Sequence, residues 1–242
     1  DEKTVWKKVK KMSNGEPRMS MEEPGHLEGN AVEWGNGVVK ECCSLKFLGL
    51  PEGKGMLPGY FCDGCVQLEH ISVPNTITRL WDYVFDKCTT LQEVTLPDGV
   101  TDIGRHVFES CCCITEMIPP KGLRKIGNGA FQGCRMLEKV VLPDGIAEIV
   151  DSLFSGCYTL TEIVIPKSVT TVSRYCFENC QCMKRYYFLP DSPPELTTTG
   201  TFLGLPKDCK FYVPKGRLDV YQTAESWSSY ASYMVEMEGD VL

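Results

Sequence analysis

No run of apolar residues in this chain approaches the roughly 18 that a membrane-spanning helix needs, so no insertion of the chain into a membrane is expected. Positive charge is in short supply: 25 Lys and Arg face 32 Asp and Glu, giving a formal charge of -7 and a pI near 5.1. That balance argues against nucleic acid or an anionic membrane surface as the main partner. Histidine is scarcer still, with only His26, His70 and His106, and none of the three sits in a recognisable Ser, Cys or zinc motif. There is no CxxC…CxxC pair of the kind that holds zinc. The GNG pieces lack the strand-then-helix setting of a phosphate loop and read as turns. Carboxylates are plentiful, and nothing marks two of them as a catalytic dyad. No catalytic residue, metal ligand or cofactor is assigned, and an enzyme is the weakest functional class. The first residue is Asp rather than Met, and the expectation is a removed leader or tag.

Cysteine, by contrast, is abundant, with fourteen in 242 residues. A disulfide framework belongs to short secreted chains with too little core, and this chain is long enough to bury one. The spacing offers another account. Cys42, Cys65, Cys88, Cys111, Cys134, Cys157 and Cys180 follow one another at intervals of 23 residues without a slip. Three positions after each lies an apolar residue, such as Leu68, Leu137 or Leu160, and six positions after lies another, such as Ile71, Val140 or Ile163. Nine positions after the first six come Pro51, Pro74, Pro97, Pro120, Pro143 and Pro166; the seventh unit has Leu189 there and Pro190 next. A fixed period of this length marks a repeat architecture.

Each unit has a physical reading. The segment TEIVIP, Thr161 to Pro166, alternates β-branched residues and predicts a short strand. Proline ends it because it has no N–H for the ladder. PDG at Pro97 and Pro143 is turn chemistry. A second apolar pair follows, Val100 and Ile103 in one unit, and then a bulky pair just before the next cysteine: Val107–Phe108, Ala130–Phe131, Leu153–Phe154. Two short extended pieces leave no room for a long helix. One unit cannot bury its own apolar face, but stacked units can.

Stacking also accounts for the cysteines. The turn after Phe needs something small and apolar in every coil, and cysteine is both. Adjacent coils lie about one strand spacing apart, roughly 4.7–4.9 Å. That is wider than the mean Cβ separation of about 3.8 Å in a disulfide. The ladder cysteines are therefore read as free, buried thiols, with disulfide or metal binding as the lesser alternative. The Cys111–Cys112–Cys113 run and the Cys180/Cys182 pair invite a metal reading too, but alternate residues do not converge on one ion without further ligands.

The unit C-x-x-L-x-x-[VIL]-x-[LVI]-P, followed by an apolar residue, Ile or Val, and then F-x-x-C, resembles the BspA-like leucine-rich repeats of bacterial surface and secreted proteins. The resemblance covers residues from about Asn30 to Pro190. It extends to the tail, CKFYVPKGRLDVYQTAESWSSYASYMVEM from Cys209 to Met237, which resembles that family's closing segment. What it implies is a right-handed leucine-rich-repeat solenoid with short parallel strands on one side, little helix, and a small C-terminal strand–helix cap. It also implies a secreted or cell-surface location. The sequence departs in places. Pro119 stands where other units have Leu96, Leu142 or Ile165, Cys62 replaces the corner Phe of the first unit, and the period is lost in PDSPPELTTTGTF.

The expected organisation is a leader or cap over 1–29, the solenoid over 30–190, and a capping segment over 191–242. The leader carries the basic run WKKVKK, Trp6 to Lys11, read as a solvated charge run. From Asn30 the chain mimics the second half of a unit, with Trp34 at the Ile position and Val39 at the Phe position, which predicts a half-coil cap. The aromatics of the tail, Phe211, Tyr212, Tyr221, Trp227, Tyr230 and Tyr233, are read first as cap core.

Strand alternation then places two columns of side chains outward. The first is Phe47, His70, Glu93, Glu116, Lys139, Glu162 and Arg185, a surface charge ladder worth little per pair. The second is Gly49, Ser72, Thr95, Ile118, Val141, Val164 and Tyr187. Its last four members form a contiguous apolar strip, which is either a binding surface or a seat for the tail. Ile118, Val141, Val164 and Tyr187, with Arg185 beside them, are the candidate partner-binding residues. The expected function is a monomeric, non-catalytic surface or adhesion module that holds a protein or glycan partner on the solenoid. A structural spacer with no ligand of its own is the alternative.

Overall fold

The computed structural model describes residues 35–50, 55–198 and 200–239, together with the backbone of three two-residue strands nearer the N-terminus. The leader expected over 1–29 and the start of the half-coil at Asn30 to Trp34 lie outside the described residues, apart from those strands. From Gly35 onward the chain winds as a stack of coils. Each coil contributes one strand to a front sheet: Phe47–Gly49, His70–Ser72, Glu93–Thr95, Glu116–Met117, Lys139–Val141, Glu162–Ile165, Arg185–Phe188 and Lys210–Val213. All adjacent pairs that bond are parallel, and the register holds like to like, as in Glu116↔Lys139↔Glu162↔Arg185↔Lys210. The ladder is interrupted once, between Glu93–Thr95 and Glu116–Met117. The interruption falls at the unit with consecutive prolines, Pro119 and Pro120. Neither can donate to a ladder, and proline restricts the residue before it.

A second side of every coil carries a two-residue strand, from Met56–Leu57 through Lys125–Ile126 and again from Glu148–Ile149 to Glu195–Leu196. Between the two sides lies a core built from columns. The apolar residues three after each cysteine and the inward-facing Ile and Val residues of the strands, such as Ile71, Val140 and Ile163, are buried. The corner phenylalanines stack face to face: Phe85–Phe108 at 5.4 Å, Phe108–Phe131 at 5.5 Å, Phe131–Phe154 at 5.7 Å, Phe154–Phe177 at 5.8 Å and Phe177–Phe202 at 5.7 Å. The first unit departs as its sequence does, with Cys62 in that column.

The cysteine column is buried as free thiols, and it does more than fill space. Each thiol from the second coil onward donates to the carbonyl of the corner residue in the coil before. Cys65 reaches Val39 at 2.9 Å, Cys134 reaches Phe108 at 3.1 Å, Cys157 reaches Phe131 at 3.2 Å and Cys180 reaches Phe154 at 3.3 Å. The same carbonyl accepts the backbone N–H of its own coil's cysteine, as Cys134 N–H does to Phe131 O at 3.2 Å. Both lone pairs of a buried carbonyl are thus used at a corner where sheet pairing is absent. Burial pushes the thiols of Cys88, Cys111, Cys134 and Cys157 well above their usual pKa, and that of Cys180 up to about 12. The thiolate that would react is therefore scarce at neutral pH. Ten of the fourteen cysteines are buried, while Cys43 and Cys182 are exposed and Cys112 and Cys113 half-buried. Titration of the native protein with an aromatic disulfide should accordingly find about four reactive thiols and release the other ten only in denaturant. Intact disulfides joining the column would contradict this arrangement.

Two left-handed corners recur in each coil, five residues and one residue before the cysteine. Gly37, Tyr60, Tyr83, His106, Gly129, Ser152 and Tyr175 occupy the first; Glu41, Gly64, Lys87, Ser110, Gly133, Gly156 and Asn179 occupy the second. All have φ between 54° and 74°. Glycine takes such a φ without penalty, and bulky side chains rarely do.

Past Pro190 both ladders continue. Glu195–Leu196 pairs with Thr171–Val172, and Lys210–Val213 pairs with Arg185–Phe188. In this last coil Leu205 N–H bonds Phe202 O at 3.2 Å, so Leu205 stands in the cysteine column and Cys209 shifts toward the leucine column. Helix Leu218–Thr223 and the 3-10 turn Ser228–Tyr233 close the end, and strand Met234–Glu236 adds to the front sheet. Trp227 and Tyr221 are fully buried there. Their polar tips donate to the carbonyls of Pro194 (2.7 Å) and Pro190 (2.8 Å), which fastens the cap to the proline-rich exit of the coil beneath.

Candidate binding face

Alternation along the front strands places the expected columns. In Glu162–Ile165 the pattern runs half-buried, buried, half-buried, buried, and in Arg185–Phe188 exposed, buried, half-buried, buried. Ile163 and Ile165, Tyr186 and Phe188 fill the core; Glu162, Val164, Arg185 and Tyr187 face out. Register pairing sets Val141, Val164 and Tyr187 side by side. Ile118 follows the last paired residue of its strand, Met117, which lies opposite Val140, and so it continues the row at the other end. Ile118 is 73% exposed and Val141 44% exposed. Val164 and Tyr187 are half-buried within the row.

Among the described residues the tail does not lie across this strip; it lengthens it. Tyr212 sits opposite Tyr187 in register and stacks on it with ring centroids 4.9 Å apart, and Val235 sits opposite Tyr212 in the final strand. The row therefore runs Ile118, Val141, Val164, Tyr187, Tyr212, Val235 over six adjacent strands. The expectation that all the tail aromatics form cap core is corrected for Tyr212, which faces out; Phe211, Tyr221 and Trp227 are buried, and Tyr230 and Tyr233 are half-buried and pack against that core. The alternation in CKFYVP carried the signal, since Phe211 and Val213 inward force Tyr212 outward. Desolvation pushes the Tyr187 phenol upward, so it presents a neutral hydroxyl.

Charges flank the strip in the first column. Arg185 reaches back to Glu162, with Nε at 3.0 Å and Nη2 at 2.6 Å from one carboxylate oxygen. The pair is solvated, so it adds little stability, and it presents itself as a neutral, hydrogen-bonding rim. Lys139 lies between Glu116 and Glu162 in register and makes no ion pair among the described residues. At the far end of the same column Phe47 stacks on His70 at 5.4 Å. Beside the column, at the edge of the sheet, is a shallow cleft of about 600 Å³ lined by Glu138, Thr161, Gln181, Lys184 and Asp208, with Cys182 at its side. Thr161 and Lys184 directly precede Glu162 and Arg185, so cleft and strip share one surface. Among the described residues no three His, Cys, Asp or Glu side chains converge as a metal site.

Parallel ladders on two sides of a regularly repeating coil, with a leucine column inside, define the chain as a leucine-rich-repeat solenoid. The BspA type leucine-rich repeat region matches residues 56–184 in six copies, and the chain belongs to that family. Its fold is similar to that of a leucine-rich repeat protein from Bacteroides ovatus (22% identity, TM-score 0.71, covering 89% of this chain and 62% of that one). It is similar to a Treponema pallidum leucine-rich repeat protein (24%, TM-score 0.57, 75% and 83%) and to the pneumococcal vaccine antigen PcpA (17%, TM-score 0.55, 84% and 63%). The chain thus spans less than two thirds of the Bacteroides and pneumococcal proteins. No curated protein matches. Among the described residues no helix is long and apolar enough to cross a membrane.

Proposed function

We propose that the chain is a non-catalytic module that holds a protein partner at the cell surface or outside the cell, and that the front sheet is the face it uses. The observation that carries this is the continuous apolar row from Ile118 to Val235. Scattered exposed apolar residues are ordinary, but a contiguous row across six strands is not. Four of its six members are aliphatic or β-branched, which suits the apolar side chains of another polypeptide. Buried apolar and aromatic anchors at an interface centre carry most of its energy. The two stacked tyrosines and the most exposed members, Ile118 and Val141, are the anchors. The Arg185–Glu162 pair and the cleft at Glu138 and Lys184 form the polar rim. A surface location agrees with the family and with the pneumococcal relative, a vaccine antigen.

The test is binding of the fluorescently labelled chain to host epithelial cells and to bacterial cells, before and after protease treatment of those cells. Changing Val164 and Tyr187 together to Ser should leave the melting temperature within a few degrees, because outward side chains do not fill the core. It should weaken binding by about tenfold or more, a loss of roughly 1.4 kcal/mol. Treating the cells with protease should abolish binding of the unaltered chain. Full binding by the double variant, or its unfolding, would remove the strip from the function.

A further inference from the structure

The left-handed corner five residues before each cysteine carries glycine in two described coils (Gly37 and Gly129) and serine in a third (Ser152). The fold therefore asks for nothing aromatic there. Tyr60, Tyr83 and His106 nevertheless occupy three successive coils at φ of 58°, 61° and 54°, and Tyr175 stands alone at the same corner three coils further on, a conformation that bulky side chains rarely take. The backbone angle belongs to every coil, so what sets these three apart is that they are aromatic in succession. The three rings stand parallel, Tyr60 on Tyr83 at 4.8 Å and Tyr83 on His106 at 4.9 Å. The next coil has Gly129, where an added Cβ would lie 2.6 Å from the His106 ring, so the row ends over bare backbone.

The stack uses the faces of its own rings, so what it offers outward is a line of edges. Tyr60 is 41% exposed, and among the described residues neither the Tyr60 nor the Tyr83 hydroxyl has a hydrogen-bond partner. Two residues before Tyr83 in the same coil, Trp81 is also 41% exposed. Its ring lies under the Arg79 guanidinium at 4.3 Å, and its Nε1–H has only the Met56 sulfur, at 3.1 Å. A thioether is a weak acceptor that a hydroxyl oxygen would displace. The charges around the row are matched internally. Lys40 pairs with Asp63 (2.9 Å), Lys87 with Asp86 (2.6 Å), Arg105 with Asp82 (2.8 Å), and His106 Nδ1 lies 2.9 Å from Glu109. The three Lys and Arg pairs cancel, and Glu109 faces only an imidazole, so no excess positive charge is left to select an anion.

We propose that the Tyr60–Tyr83–His106 row, with Trp81 beside it, is a glycan-binding site, separate from the front sheet and taking a neutral, hydroxyl-rich polysaccharide laid along the coils. A polymer of repeating hydroxylated rings matches a line of donors repeating at the coil spacing. A protein anchor would need apolar faces, and here these are turned inward against one another.

The experiment is native electrophoresis of the full chain through gels containing a soluble β-1,3-glucan, a β-1,4-xylan or a galactomannan. At least one should retard the unaltered chain. Because glycine is already present at this corner in other coils, Tyr60→Gly with Tyr83→Gly keeps the backbone comfortable, and Trp81→Ala provides an independent lesion. Both variants should melt within a few degrees of the parent and lose retardation by about tenfold or more in apparent Kd. The Val164→Ser, Tyr187→Ser chain should be retarded like the parent, so this site and the front sheet fail or survive separately. No retardation in any of the three gels would overturn the proposal, as would undiminished retardation of the glycine pair. A large drop in its melting temperature would show that the rings serve the fold. If these variants lose protease-sensitive cell binding and no glycan binding, the row is a protein contact and the assignment falls.

Discussion

Phe131→Ala should destabilise the folded chain by about 3–5 kcal/mol, while Cys134→Ala, three residues on in the same buried corner, should cost only about 1 kcal/mol. Phe131 is 2% exposed and touches a phenylalanine on either side, Phe108 at 5.5 Å and Phe154 at 5.7 Å. Its removal opens a void that rigid neighbouring coils cannot close, and it breaks two stacked contacts at once. Cys134 is equally buried, but alanine replaces all of it except the sulfur. The carbonyl its thiol serves, that of Phe108, keeps the N–H of Cys111 at 3.1 Å and is not orphaned. Denaturant unfolding of the two variants checks the difference. Equal costs would mean that the corner column is not what holds the coils in line.

Trp227→Ala should be as damaging, about 3–5 kcal/mol, but its effect should be local. Trp227 is fully buried against Phe188 at 4.9 Å and Tyr221 at 5.4 Å, both near-perpendicular. It also supplies the donor for Pro194 O. Trp227→Phe would keep much of the apolar contact and leave that carbonyl without its donor, costing roughly 1–3 kcal/mol. In a solenoid each coil touches only its neighbours. Loss of the cap should therefore raise amide exchange over residues 210–236, where the last front strands lie, while coils from Phe85 to Phe154 stay protected. Uniform loss of protection along the chain would argue for one cooperative unit.

These two results bear on columns that the sequence already displays. The 23-residue register of Cys, Leu, Pro and Phe is a one-dimensional pattern, and stacking converts it directly into columns. The outward strip from Ile118 to Tyr187 was legible for the same reason, because strand alternation needs only the knowledge of which residues point inward. What lies beyond a fixed period was harder to read. Tyr212 and Val235 belong to the strip, but the interval to Cys209 is longer and Leu205 takes the cysteine position, so counting from the cysteine fails there. The bond from each thiol to a carbonyl 26 residues earlier could not be seen, since it depends on how the corner of one coil overhangs the next. The Tyr60–Tyr83–His106 row was hidden for another reason. Its position tolerates Gly, Ser, Tyr and His alike, so no pattern of residue type marks it, and only the stacking of the three rings sets these residues apart.

Both proposed surfaces rest on one property of the scaffold: coils at fixed spacing turn like residues into straight rows. The front sheet is the more consequential, because the proposed protein partner would be held there. Site-specific photo-crosslinking reads it most directly. A benzophenone amino acid is placed at Val141, exposed in the apolar strip, or at Glu148, exposed on the opposite ladder, and each chain is irradiated on cells that bind it. The expected result is a discrete, protease-sensitive adduct from position 141 and none from position 148. Equal adducts from both positions, or an adduct from 148 alone, would contradict binding through the front sheet.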